Sequence, residues 1–328
     1  MTARLEETVR DYLSVRRALG FKLEGTEQIL AAILPAFCAA AMPAQAAGFA
    51  AHLRGAGTEH VTVQHAVEFA TAPEGASRRY QALRLSAVRC FARWAHTLDP
   101  AIEVPPARLL PARPTRAAPY IYSEAEISAL IAAARQLAPE PKAATYDALL
   151  SLMASTGIRT GEAVGLDVTD FDERAGTLTV TGKYGKARML PLHRSAAEGL
   201  AGYLEQRRQF PRGAGCPALL VSATGRRLHP RTAQAVFRGL REQAGLVTAS
   251  AACRPRLHDF RHTFAVSVML DAYRHGGDAA AVLPVLTTWL GHADPGDTFW
   301  YITGTAELLD AAAKRLQQAG GNGEGRRS

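Results

Sequence analysis

Six prolines fall between residues 99 and 119: Pro100, Pro105, Pro106, Pro111, Pro114 and Pro119. Each fixes φ and lacks an amide proton, so no continuous helix or central strand crosses this stretch. The chain must fold as separate bodies on either side of an extended strip. Its 328 residues suffice for about two domains. The strip also carries Arg108, Arg113 and Arg116. Residues 99–119 therefore read as a basic linker, suited to running along a duplex while two domains grip it from opposite sides.

Charge points the same way. Lys plus Arg number 38 against 30 Asp plus Glu, a net charge of +8, with 48% hydrophobic and 21% charged residues. That balance excludes a disordered or acidic solvating chain and favours a polyanionic partner. Cys38, Cys90, Cys216 and Cys253 form no C-x-x-C pair, so neither a zinc ribbon nor a disulfide framework is expected. The first residues carry acids and no apolar core, which argues against a secretory signal. The apolar stretch Ile29 to Leu53 is broken by Pro35 and Pro43 and holds Gln45 and His52. It reads as helices outside a membrane, and a reducing cytoplasm is the expected compartment.

Residues 1–98 show helical period throughout, over runs 26–41, 44–54, 61–70 and 76–98 after an opening run ended by Gly20. In the last run Arg78, Arg79, Arg84, Arg89 and Arg93 occur without an intervening acid, beside an apolar side of Leu83, Val88, Phe91 and Trp94. Such a face is either solvated or laid against phosphates. Beyond the linker, Ser123 with Glu126 forms a capping box before Ile127, Leu130 and Ile131. Helices are expected over 142–155, 195–210, 230–244, 258–274, 279–290 and 306–318. Alternation in Thr177–Thr181 and Arg188–Leu192 around Gly182-Lys183-Tyr184-Gly185-Lys186 predicts a hairpin, with a third strand at 218–222. The expected fold class is mainly α with a small antiparallel β-sheet in the second domain (an α+β domain), and a disordered tail over 319–328.

Four clusters carry candidate chemistry. Arg159 follows a helix end at Thr156-Gly157, with Glu162 one turn later; alone this is a surface ion pair. His258, Arg261 and His262 share one helix face. A zinc pair there would want H-E-x-x-H, but Asp259 stands in the Glu position and no third ligand is near, so no metal is expected. His292 follows a helix ending at Gly291, which by itself is a polar cap. Tyr301 lies nine residues later beside Trp300, a pairing that is more often core than nucleophile.

Taken together and in order, TGIRTGEAVGL, GKYGKARMLPL, HDFRHTFA and LGHADPGDTFWY resemble the tyrosine recombinase (lambda integrase and Xer-like) family. The resemblance covers about 120–318 specifically and 1–98 only in architecture. It implies a helical core-binding DNA-binding domain over 1–98 and a catalytic domain over 120–318, together a two-domain DNA clamp. It also implies cutting and rejoining of DNA through a 3′-phosphotyrosine and a Holliday junction, without cofactor or metal. The implied partners are double-stranded DNA and a homo-tetramer on two sites, or related recombinases. The implied catalytic set is Arg159, Lys183, His258, Arg261 and His292, with Tyr301 as nucleophile and Glu162 in support. Arg78, Arg79, Arg89, Arg93 and Arg188 are the expected DNA-binding arginines.

These residue types suit the reaction. A phenol has a pKa near 10 and attacks an anionic diester only with help. Guanidinium forks neutralise the charge gathering on non-bridging oxygens, and the 5′-alkoxide needs a proton, which Lys183 (or its rival Lys186) would give. Between Arg261 and His292 the chain is longer than in Xer-like members, around Ala272–Asp278. That length and the Phe-Trp-Tyr run resemble mobile-element recombinases. A type IB topoisomerase and a non-catalytic accessory relative are the alternatives.

Overall fold

A computed structural model describes residues 2–21, 26, 29–30, 48–58, 60–110, 119–182, 185–213, 215–246, 254–275, 278–292, 294, 296, 298, 310 and 313. The chain forms two compact units, Met1–Arg116 and Ala117–Ser328. No described helix is long and apolar enough to cross a membrane. The expected helices over 26–41 and 306–318 lie largely outside the described residues, as does the tail.

The first unit contains α1 (Thr2–Ala18), α2 (Phe49–Gly55), α3 (Val63–Thr71) and α4 (Arg78–Ala95). Thr62 and Ser77 cap α3 and α4, their hydroxyls accepting the amides of His65 and Tyr80 at 3.2 Å. Leu13, Phe49, Leu53, Phe69, Val88 and Phe91 close one core. Phe49 and Phe69 meet edge-on at 5.3 Å.

The phase of α4 differs from expectation. Its buried stripe runs through Arg84, Leu85, Val88, Phe91 and Ala95, and Leu83 falls off that stripe at 57% exposed. Arg84 is only 4% exposed. Its guanidinium stacks 3.7 Å over the Phe69 ring and donates Nε and Nη2 to the Phe69 carbonyl at 3.2 and 2.9 Å. It fills the core as a flat amphipathic plate. Arg78, Arg79 and Arg93 are exposed, while half-buried Arg89 donates to the Pro105 carbonyl at 2.9 Å.

The second unit opens with α5 (Glu124–Arg135), whose capping box forms as expected: the Glu126 amide meets Ser123 Oγ at 3.2 Å and the Ser123 amide meets Glu126 Oε2 at 2.7 Å. Next comes α6 (Glu140–Thr156), buried on nearly every side through Ala143, Tyr146, Leu149, Leu150, Leu152 and Met153, as befits a central helix. The short α7 (Thr160–Gly165) leads to β1 (Phe171–Asp172), β2 (Thr177–Thr181) and β3 (Ala187–Pro191), an antiparallel sheet in the order β1-β2-β3. Leu178 faces Leu190 and Val180 faces Arg188. Leu178, Val180 and Leu190 are buried, so Arg188, two residues from Leu190, shares the core face of its strand.

The third strand is β1, too short to show alternation. The expected strand at 218–222 makes only isolated bridges, Asp167 to Ala218 and Val221 to Arg227. The helices α8 (Arg194–Arg208), α9 (Pro230–Gln243), α10 (Asp259–Arg274) and α11 (Ala279–Leu290) follow among the described residues. α10 packs against α6 and α11. The ends of these three helices, with α7 and β3, surround the candidate site.

Candidate active site

The turn that presents Arg159 is built by glycine and a buried anchor. Gly157 ends α6 with φ +63°, a left-handed conformation that other residues adopt at a cost. A Cβ there would lie 2.6 Å from Phe264 Cδ1 on α10. Ile158 is fully buried. Arg159 then caps α7, its amide donating to Glu162 Oε2 at 3.0 Å and its Nη1 to Glu162 Oε1 at 2.8 Å. Its side chain stays 37% exposed.

Arg261, near the start of α10, is wholly buried. Its Nη1 donates to the Gly157 carbonyl at 3.0 Å and its Nη2 to the Leu290 carbonyl at 2.6 Å. Arg159 Nη1 approaches the same Leu290 carbonyl at 3.5 Å. Leu290 ends α11 and Gly157 closes α6, so these carbonyls are among those a helix end leaves without intrahelical partners. They sit at the negative poles of two helix dipoles, which is where guanidinium groups are stabilised. The two helix ends are tied directly as well: Trp289 Nε1 donates to the Thr156 carbonyl at 2.8 Å. The arginines are thus ordered by backbone before any anion arrives.

His292 follows Gly291, the left-handed cap of α11 at φ +66°. Its Nε2 lies 2.7 Å from Arg261 Nη2, and its Nδ1 lies 2.8 Å from Thr298 Oγ1. A guanidinium only donates, so Nε2 accepts and Nδ1 carries the proton. Thr298 is fully buried and lies 3.0 Å from the Thr287 hydroxyl, which donates to the Leu283 carbonyl at 2.8 Å. Sequence reading missed these threonines; only their burial, invisible in the sequence, marks them.

His258 caps α10 and keeps an exposed edge, with its ring edge-on to His262 at 5.1 Å. Partial withdrawal from water, then the charges of Arg261, Arg256 and Arg159, push the His258 imidazole down to about 4. Burial does the same to His262, with neighbouring His258, Arg256, Arg261 and His292, to about 3. Both rings are neutral at pH 7, so His262, 3.8 Å from Asp259, forms no ion pair there. The unfolded chain would protonate near 6.5. It therefore binds more protons than the folded chain below that value, and stability falls as pH drops from 6.5 toward 4 and then 3. Glu162 and Glu126 lose stabilisation only below about 4.5, because their folded values are lowered. Burial raises the carboxyl of neighbouring Asp259, which pulls the opposite way as pH falls. Thermal melts between pH 6.5 and 4.5, compared with those of His262→Gln, should therefore isolate about 2 kcal/mol from His262. A pH dependence unchanged by His262→Gln would contradict the assignment.

Glu162 ties the sheet to the site. Burial alone would raise its carboxyl, but hydrogen bonds from Arg188, the Arg159 amide and the Arg159 guanidinium outweigh it and hold the group ionised. Arg188 reaches Glu162 Oε2 at 2.8 Å and the Trp289 carbonyl at 2.7 Å. That inward setting differs from the DNA-facing one expected, and follows from the strand's alternation. Lys183 and Tyr301 lie outside the described residues. Lys186 is exposed on the hairpin, and its carbonyl takes the Gly182 amide at 2.8 Å. Arg159, Glu162, Arg261 and His292 are therefore brought into one hydrogen-bonded cluster, with His258 beside it.

Comparison with known proteins bears on this cluster. The pattern of the Phage integrase family matches residues 121–307. A putative integrase/recombinase of Sinorhizobium fredii, y4rB, is 38% identical over 319 residues, spanning 95% of this chain and 96% of that protein. The tyrosine recombinase XerD of Mycobacterium leprae is 33% identical over 233 residues, 69% of each chain. The XerH site-specific recombinase, solved on a palindromic difH substrate after cleavage, shares the fold at TM-score 0.58 and 19% identity, covering 78% of this chain and 73% of that one. A family pattern spanning more than half the chain and a relative matched along nearly its whole length lead to one conclusion: this protein belongs to the phage integrase family of tyrosine recombinases, enzymes that cut and rejoin DNA.

Proposed function

We propose that this chain recombines DNA at specific sites, with Tyr301 attacking a backbone phosphorus and Lys183 protonating the departing 5′-oxygen. The phenol oxygen forms the new P–O bond as the P–O5′ bond breaks. The phenol proton passes to solvent, and His258, neutral at pH 7 but a weak base in this setting, helps to orient the phenol. Arg159 and Arg261 counter the charge on the non-bridging oxygens, with His258 and His292 beside them and Glu162 orienting Arg159. The phosphotyrosyl ester stores the linkage, so a second 5′-hydroxyl can reverse the step without an energy source. The observation that carries this reading is the meeting of Arg159, Arg261 and His292 at the end of α11, around the Leu290 carbonyl.

In this reading residues 1–98 bind DNA, 99–119 link, and 120–318 carry the chemistry. Arg78, Arg79 and Arg93 face phosphates, with half-buried Arg89 beside them, its Nε already given to the Pro105 carbonyl. Exchange between two duplexes needs four active sites, so the working form is a tetramer on paired DNA sites, or a mixed assembly with related recombinases. Its work is on the chromosome, in the cytoplasm, and the long 261–292 span suits a mobile-element recombinase.

The test is leaving-group rescue. Lys183→Ala should slow single-turnover cleavage on the order of 10²-fold or more, the typical worth of a positioned acid. A bridging 5′-sulfur hardly needs a proton and should restore most of that rate. If Lys186→Ala shows the rescue and Lys183→Ala does not, Lys183 is not the acid.

A further inference from the structure

We infer that Arg188 is a positioning residue for cleavage, holding Glu162 and the turn before His292 so that Arg159 keeps an uncompensated charge for the phosphate. The inference rests on the strand-exchange reading above and assigns Arg188 no contact with DNA.

Three observations carry it. First, alternation turns Arg188 to the core face of β3, and its side chain is only 14% exposed. Second, one carboxylate is shared by two guanidinium groups. Arg188 Nη2 and Nη1 lie 2.8 and 3.4 Å from Glu162 Oε2 and Oε1, while Arg159 Nη1 lies 2.8 Å from Oε1. With one partner, Glu162 would cancel the charge of Arg159. With two, the group of three keeps a net positive charge, and Arg159 is its more exposed arm. Third, Arg188 fastens the α11 end. Its Nε donates to the Trp289 carbonyl at 2.7 Å. It also lies over Gly291, where a Cβ would come 2.9 Å from its Nη1. Arg188 therefore fixes the segments that supply Arg159 and His292, from a strand of the hairpin whose connecting loop includes Lys183.

A positioning role and a phosphate contact predict different measurements. On a nicked duplex built from inverted repeats flanking the gene, Arg188→Gln should cleave about 10- to 100-fold more slowly. Its DNA affinity should stay within about threefold and its salt slope should match wild type, since no counterion is released through Arg188. Arg188→Lys keeps the charge but not the fork, and should recover part of the rate. Glu162→Gln combined with Arg188→Gln should cost far less than the product of the single losses, because both act through one contact. If Arg188→Gln melts well below wild type, Arg188→Lys and its cycle with Glu162→Gln decide instead. Multiplicative losses, wild-type cleavage by Arg188→Gln, or weaker binding with a shallower salt slope would each overturn the inference. Absence of covalent trapping by wild type on the same duplexes would instead fail the recombinase reading.

Discussion

Tyr301→Phe is expected to bind DNA as wild type does and to form no covalent protein–DNA complex. The substitution removes one oxygen and leaves the ring, so packing and charge change little. Without the phenol no group remains to hold the cut 3′-phosphate, and cleavage should fall by about 10⁴-fold or more, as for other lost nucleophiles. A nicked duplex labelled on the strand 5′ of the scissile phosphate, whose 3′-phosphate the tyrosine would keep, reads this directly: wild type should leave a labelled protein band on a denaturing gel, and Tyr301→Phe none. Equal trapping by both would move the nucleophile elsewhere. Trapping by neither, with binding intact, would favour an accessory protein that needs an active partner.

Arg261→Ala should damage both fold and chemistry. The side chain is 0% exposed and serves the Gly157 carbonyl, the Leu290 carbonyl and His292 Nε2. Truncation would orphan the buried Gly157 carbonyl, leave the Leu290 carbonyl only the longer contact from Arg159 and open a cavity, a loss of about 3–5 kcal/mol. For a unit of this size that lowers the melting temperature by roughly 6–20 °C. Arg261→Lys separates the two roles. It retains charge and bulk, so most stability should persist, while loss of the fork should slow cleavage on the order of 10²- to 10³-fold. Calorimetry and single-turnover cleavage report the two effects independently. An Arg261→Ala protein that melts like wild type would show that the buried network does not hold the site together.

What could be read from the chain was local or strongly patterned. The Ser123–Glu126 box, the 177–191 hairpin and most helix spans depend on neighbours within a few residues. Their physics is complete in the sequence. The ordered motifs around Arg159, His258, Arg261 and His292 were legible because the chemistry suits those residue types and their order along the chain is the one the family resemblance carries. The sequence also held an unused signal: Leu190 is the apolar partner of the hairpin's alternation, so Arg188 two residues away had to share its inward face.

Other features were decided only by packing. Arg84 is buried because the Phe69 ring and carbonyl offer a flat, polar-edged slot that no window of sequence reveals. Leu83 is exposed because that slot sets the rotation of α4. The two-residue β1 exists only through its pairing with β2. Above all, the convergence of Arg159, Arg261 and His292 depends on the ends of α6 and α11, formed far apart in the chain, presenting carbonyls to the same guanidinium groups. Residue types and their order were set by the amino-acid chain alone. Tertiary packing determined which charges turn inward and which stay open to an anion, because burial and long-range hydrogen bonds arise only once distant segments meet.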